Sequence, residues 1–162
     1  DGSSPTELFT EADGLEVPTD LALDLENGRI YISDVGLESS GYAADGIWEG
    51  TLDGSSISQV IVGGGYSVTV DMINDNLYFN DAFIDLDIKV VPIGDWSNLT
   101  SVVNTLGYER VYGLKVFGTK LYWSDLGADV GQGSVHRSNL DGSSAETLAD
   151  MLSDPRHLVI YK

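Results

Sequence analysis

Carboxylates are the main chemical resource of this chain, with 26 Asp and Glu against 8 Lys and Arg. Asp81, Asp85 and Asp87 lie close together and can offer oxygens to a Ca²⁺ ion, which takes roughly six to eight of them. The run lacks the glycine turn and the terminal Glu of a helix–loop–helix calcium loop. A solvated acidic loop is therefore the simpler account, with calcium as the one cofactor to keep in view. Asp24 and Asp71 recur at one phase, but Phe117 stands in the third place, so anchoring a turn fits them better than catalysis. The only histidines are His136 and His157, and neither has another ligand type nearby, which argues against a His-based metal site. No Gly-x-Ser-x-Gly and no glycine-rich loop with Lys is present. Gly63-Gly64-Gly65 reads as a linker between repeats. No catalytic or cofactor-binding residue is assigned. Asn98-Leu99-Thr100 is a sequon for N-glycosylation just after an irregular turn, where it should be at the surface.

The elements that carry these residues repeat. Ile30-Tyr31-Ile32-Ser33-Asp34 returns as Leu77-Tyr78-Phe79-Asn80-Asp81, 47 residues later, and as Leu121-Tyr122-Trp123-Ser124-Asp125, 44 residues later. Asp-Gly-Ser-Ser stands at 1–4, 53–56 and 141–144. A period of about 40–45 residues is what one four-stranded propeller blade needs. Each repeat reads as four short strands. The first is Leu21–Asp24, Val68–Asp71 or Leu114–Phe117, with Leu158–Tyr161 at the same phase. A tight turn at 26–28, 74–76 or 118–119 leads into the aromatic phrase, then a longer loop at 35–45, 82–87 or 126–132. The third strand spans Gly46–Leu52 and Gly133–Leu140, and Asp-Gly turns the chain into a fourth at Ser58–Val62 and Glu146–Ala149. The middle repeat has Gly94-Asp95-Trp96 where its siblings have Leu-Asp-Gly, and is expected to be the most irregular. No stretch keeps a helical period, so the chain is all-β.

These landmarks resemble the YWTD repeat, the class B repeat of low-density-lipoprotein-receptor-type proteins. The third copy is closest, and the first keeps Leu21–Asp24, Gly28, Tyr31, Asp34 and Leu52-Asp53-Gly54-Ser55. Ile32 and Phe79 depart from the motif Trp, and the cysteine-rich modules that usually flank the family's propellers are not visible. The resemblance implies a six-bladed β-propeller outside the cell that binds other proteins. It also implies structural roles for Tyr31, Asp34, Tyr78, Asp81, Tyr122, Trp123 and Asp125, the aromatics between blades and the acids tying neighbouring blades through hydrogen bonds. Strand geometry agrees, since adjacent residues of Leu121-Tyr122-Trp123 point to opposite faces and both faces of a blade are covered.

At that period, 162 residues make roughly three and a half blades. The expected blades are 17–62, 66–110 and 111–154, with partial blades at 1–16 and 155–162. A fourth strand is expected at 5–12 and a first strand at 157–161. A six-bladed ring needs about 240–270 residues, so a larger chain or assembly is expected, since open blade faces and strand edges invite a partner.

A net charge of −18 leaves no basic footprint for nucleic acid or an anionic membrane surface. There is no cysteine, hence no disulfide, and no apolar run reaches the length of a membrane span. The leading expectation is a non-catalytic extracellular interaction module, with a protein or further blades as its partner. A structural subunit of an extracellular assembly comes next, and a propeller hydrolase of the lactonase kind last.

Overall fold

The computed structural model describes residues 4–81, 86–104 and 110–160. β-Branched and aromatic residues fill the apolar runs, and Gly, Asn and Asp interrupt them, so the chain folds into short strands joined by tight turns. No α-helix occurs among the described residues. The first sheet holds β1 (Pro18–Asp24), β2 (Arg29–Asp34), β3 (Gly46–Thr51) and β4 (Ile57–Val62). The second holds β5 (Val68–Asp71), β6 (Asn76–Asn80), β7 (Ile88–Pro92) and β8 (Thr100–Val103). The third holds β9 (Val111–Phe117), β10 (Lys120–Asp125), β11 (Gly133–Asn139) and β12 (Glu146–Leu152). Each is an antiparallel meander in chain order, the form of a propeller blade. The middle blade has the shortest strands, four residues in β5 and β8 and five in β6 and β7.

The blades stand side by side through their first strands. Val68 N–H donates to Asp20 Oδ2 at 3.3 Å, and Val116 N–H to Thr69 Oγ1 at 3.4 Å. Period-two alternation then assigns each residue of a central strand to one neighbour. Tyr31, Ile47 and Ile61 of the first blade meet Val68, Leu77, Phe79 and Val91 of the second. Tyr78 and Ile88, from the opposite face of the second blade, meet Val111, Leu114, Leu121 and Trp123 of the third. Burying each large side chain in these layers contributes on the order of 1.5–3 kcal/mol. Ile30, Ile32 and Trp48, on the other side of the first blade, are covered by Leu15 and Phe9.

Two turns seat blade against neighbour. Gly142, at φ +80°, presses so closely on the Val102 carbonyl that a Cβ would collide with it. Gly54 holds the same place in the first blade and faces the Leu8 carbonyl. Residue 8 thus lies against the first blade as β8 lies against the third.

Three expectations need correction. Residues 5–12 form no strand. Thr10 and Asp13 cap each other around a 3-10 turn at Glu11–Asp13, which diverts the backbone groups a ladder would use. Residues 157–160 also pair with no strand. The chain instead runs past the third blade, where the Arg156 carbonyl accepts the Ser124 hydroxyl. The acidic loop is not solvated at the positions described. Asp81 and Asp87 are buried, because Lys89 Nζ lies 3.0 Å from Asp81 Oδ2 and Asp81 N–H donates to the Asp87 carbonyl at 2.9 Å. Asp85 lies outside the described residues.

Candidate interaction site

The central strands β2, β6 and β10 end where the linkers enter β1, β5 and β9, so Asp34, Asp81 and Asp125 gather at that linker end, all buried. A buried carboxylate needs donors, and each blade supplies them differently. Asp34 accepts the N–H groups of Glu16 at 2.8 Å, Val17 at 2.9 Å and Gly36 at 2.7 Å. Asp81 takes the Lys89 ammonium. Asp125 accepts Gly127 N–H at 2.8 Å and bonds His136 Nε2 at 2.6 Å. Register explains the alternatives: Trp48, Lys89 and His136 stand opposite Ile32, Phe79 and Trp123 respectively, one position of the third strand in each blade. Where that position carries Trp48, its indole N–H goes to the Ala44 carbonyl at 2.9 Å and the incoming chain serves Asp34. The ties to Lys89 and His136 thus run within a blade rather than between blades.

Tyr31 is wholly buried against the second blade, and its hydroxyl is 3.4 Å from Glu49 Oε1. Tyr78 reaches the third blade and donates to the Leu140 carbonyl at 3.3 Å. Burial, then the Asp71 and Asp141 charges, push the Tyr78 hydroxyl up to about 12. Trp123 is buried and stacks on His136 with ring centroids 5.1 Å apart. Tyr122 faces away from the second blade, half-buried beside Arg137. Asp24 and Asp71 hold the hairpin turns, accepting backbone and side-chain N–H groups of Asn27 and Asn74. Asn98 is exposed in the turn between β7 and β8. Among the described residues no group of three or more His, Cys, Asp or Glu is placed to hold a metal ion.

One group at the linker end has no counterpart among the residues read from sequence. Tyr66 and Tyr112 each stand five residues before the end of the first strand of their blade, as does Thr19. Their rings lie 4.6 Å apart at 35°, and the Arg156 guanidinium sits 4.8 Å over Tyr112. The neighbouring Tyr112 and Tyr66 hydroxyls raise the Arg110 guanidinium above its ordinary value. Arg110 and Arg156 border a cleft of about 660 Å³ with Leu126, Gly127 and Asp129. Arg29, Arg137 and Arg156 pair with Glu49, Glu146 and Asp154, whereas Arg110 has no carboxylate partner among the described residues. Tyr66 and Tyr112 recur 46 residues apart, a spacing that a search on the aromatic-Asp phrase passes over.

No protein-family model and no curated protein matches the chain. Solved structures do. A chain of a nidogen/laminin complex aligns with TM-score 0.65 and 21% identity, over 82% of this chain and 48% of that one. A putative TolB from Agrobacterium tumefaciens aligns with TM-score 0.64 and 16% identity, over 80% and 48%. A quinonprotein alcohol dehydrogenase-like protein from Bacteroides thetaiotaomicron aligns with TM-score 0.57 and 12% identity, over 79% and 33%. The chain thus spans about half the length of the first two. At these identities the likeness is one of fold, and the fold is a β-propeller.

Proposed function

We propose that this chain is part of a six-bladed propeller of YWTD type that acts outside the cell as a non-catalytic protein-binding module. The observation that carries this reading is the division of labour at the linker end. The repeated carboxylates are buried and occupied by Lys89, His136 and backbone donors, while the rim offers half-buried stacked tyrosines under the exposed Arg156. Tyr and Arg are the side chains that most often anchor protein interfaces. The likeness to a propeller crystallised in a nidogen/laminin complex supports the same class of role, and the exposed Asn98 sequon supports an extracellular setting.

The test is to recover the native protein from its source after mild cross-linking. The reading requires an extracellular location, a glycan on Asn98 by mass spectrometry, and a second protein joined to the chain. A native protein that is unglycosylated, uncomplexed and able to hydrolyse lactones would overturn it in favour of the hydrolase.

A further inference from the structure

We propose that the first sugar of a glycan on Asn98 lies in the cleft between the second and third blades and clasps the two together. This inference rests on the extracellular setting proposed above and specifies what the modification does to the fold.

The argument begins with where Asn98 sits. It is exposed in the turn between β7 and β8, and it lines a cleft of about 510 Å³. Small-ligand clefts run from about 300 to 1,000 Å³. Asn76, Thr100 and Ser101 of the second blade line the cleft with Asn98, and Leu140 and Asp141 of the third blade face them. The Tyr78 hydroxyl, which donates to the Leu140 carbonyl at 3.3 Å, already joins the two walls. A group linked to Asn98 Nδ2 is therefore held covalently by one blade and placed against the next.

The lining selects the class of occupant. Val90, Pro92, Val102 and Leu140 give apolar contact for the C–H face of a sugar ring and for an acetamide methyl group. The Asn76 amide, the Ser101 hydroxyl and the Asp141 carboxylate supply donors and acceptors for its hydroxyls and amide. Charge agrees. The corresponding cleft between the first and second blades is lined by Asp24, Arg29, Glu49 and Asp75, whereas Asp141 is the one charged residue among the described lining of the cleft at Asn98. An uncharged sugar suits that lining and adds nothing to a net charge of −18. Attachment takes a lipid-pyrophosphate-linked oligosaccharide as donor. Asn98 Nδ2 bonds to the sugar C1, the C1–O bond breaks, and lipid pyrophosphate leaves while the amide gives up one proton. Once tethered, the sugar meets the third blade in an intramolecular step, so contacts too weak to hold a free sugar are still made.

The test uses the full chain secreted from a eukaryotic cell. It is compared with its glycan complete, trimmed by an endoglycosidase to the first N-acetylglucosamine, and absent in Asn98→Gln. Nuclear Overhauser contacts are expected between the acetamide methyl of the first sugar and the Leu140 and Val102 side chains. The complete and trimmed forms should melt together, and Asn98→Gln about 2–4 °C lower. Adding Leu99→Asn to Asn98→Gln moves the sequon one residue on, and a sugar there should not restore the loss. A sugar on Asn98 without contacts to Leu140, an unchanged melting point in Asn98→Gln, or full rescue by the shifted sequon would overturn this proposal alone, leaving the extracellular location and the cross-linked partner standing. An Asn98 that carries no sugar would overturn it together with the glycan that the proposed function requires.

Discussion

His136 and Asp125 are joined at 2.6 Å in the third blade, at the two positions that Lys89 and Asp81 occupy at 3.0 Å in the second. Adjacent blades therefore solve one problem, a buried carboxylate at the end of the central strand, with two different bases from one register position. His136→Ala should cost about 1–3 kcal/mol, the range for leaving a buried acceptor short of a partner. His136→Lys should recover most of that loss. Urea unfolding checks both, and an Ala variant as stable as the parent would remove the pair from any structural role.

Trp123 lies in the layer between the second and third blades and stacks on that same histidine. Trp123→Ala should cost about 3–5 kcal/mol through lost burial and a cavity. Calorimetry of the intact protein measures it. Unchanged melting would mean that the layer closes around the gap or contributes little.

Asp24 and Asp71 each tie an asparagine across a hairpin turn. Asp71→Ala should cost about 1 kcal/mol. Asp71→Asn should cost less, because an amide oxygen can still accept the N–H groups of Ile73 and Asn74. Thermal unfolding of the two variants side by side tests the order, and a reversed order would contradict the turn-anchor role.

Asp45 has its carboxyl raised above the ordinary range, mainly by burial, with Asp81 and Asp34 adding to the shift and the Gly64 N–H opposing it. A raised acid favours the folded state while protonated, so its contribution is full below the unfolded value of about 3.9 and is lost as pH rises through the higher folded value. Asp45→Asn keeps an oxygen for Gly64 N–H, which donates at 3.1 Å. It should therefore equal or exceed the parent in stability at neutral pH and lose that advantage in acid. Unfolding curves across the acid range check this, and a variant less stable at pH 7 than at pH 3 relative to the parent would reverse the sign.

Much of the fold is legible because it is periodic. The pairing of apolar runs with Gly, Asn and Asp breaks marks strands and turns, and the phase of Tyr31, Tyr78 and Tyr122 marks the blades. What escapes the sequence is which donor satisfies which acid. Nothing near Asp81 in the chain singles out Lys89, and the link to Asp125 emerges only once register sets His136 opposite Trp123. Asp81 and Asp87 read as solvated because the sequence around them is acidic, and their burial overrides that through contacts sequence cannot display. The stretch around Phe9 has strand-like apolar content, but Thr10 and Asp13 cap a turn. Tyr66 and Tyr112 form a pair only because neighbouring first strands run side by side.

Asp20 has a consequence for how this arc comes apart. An array of repeats that touch only their neighbours can unzip from either end, each unit released by its own local equilibrium. Asp20 of the first blade accepts Val68 N–H from the second and lies 3.9 Å from Lys115 Nζ of the third. That single carboxylate adds a next-nearest-neighbour coupling, so release of the third blade is felt two units away. Amide exchange should then report the inner ends of β1, β5 and β9 opening together, with one shared rate, rather than as three independent frays.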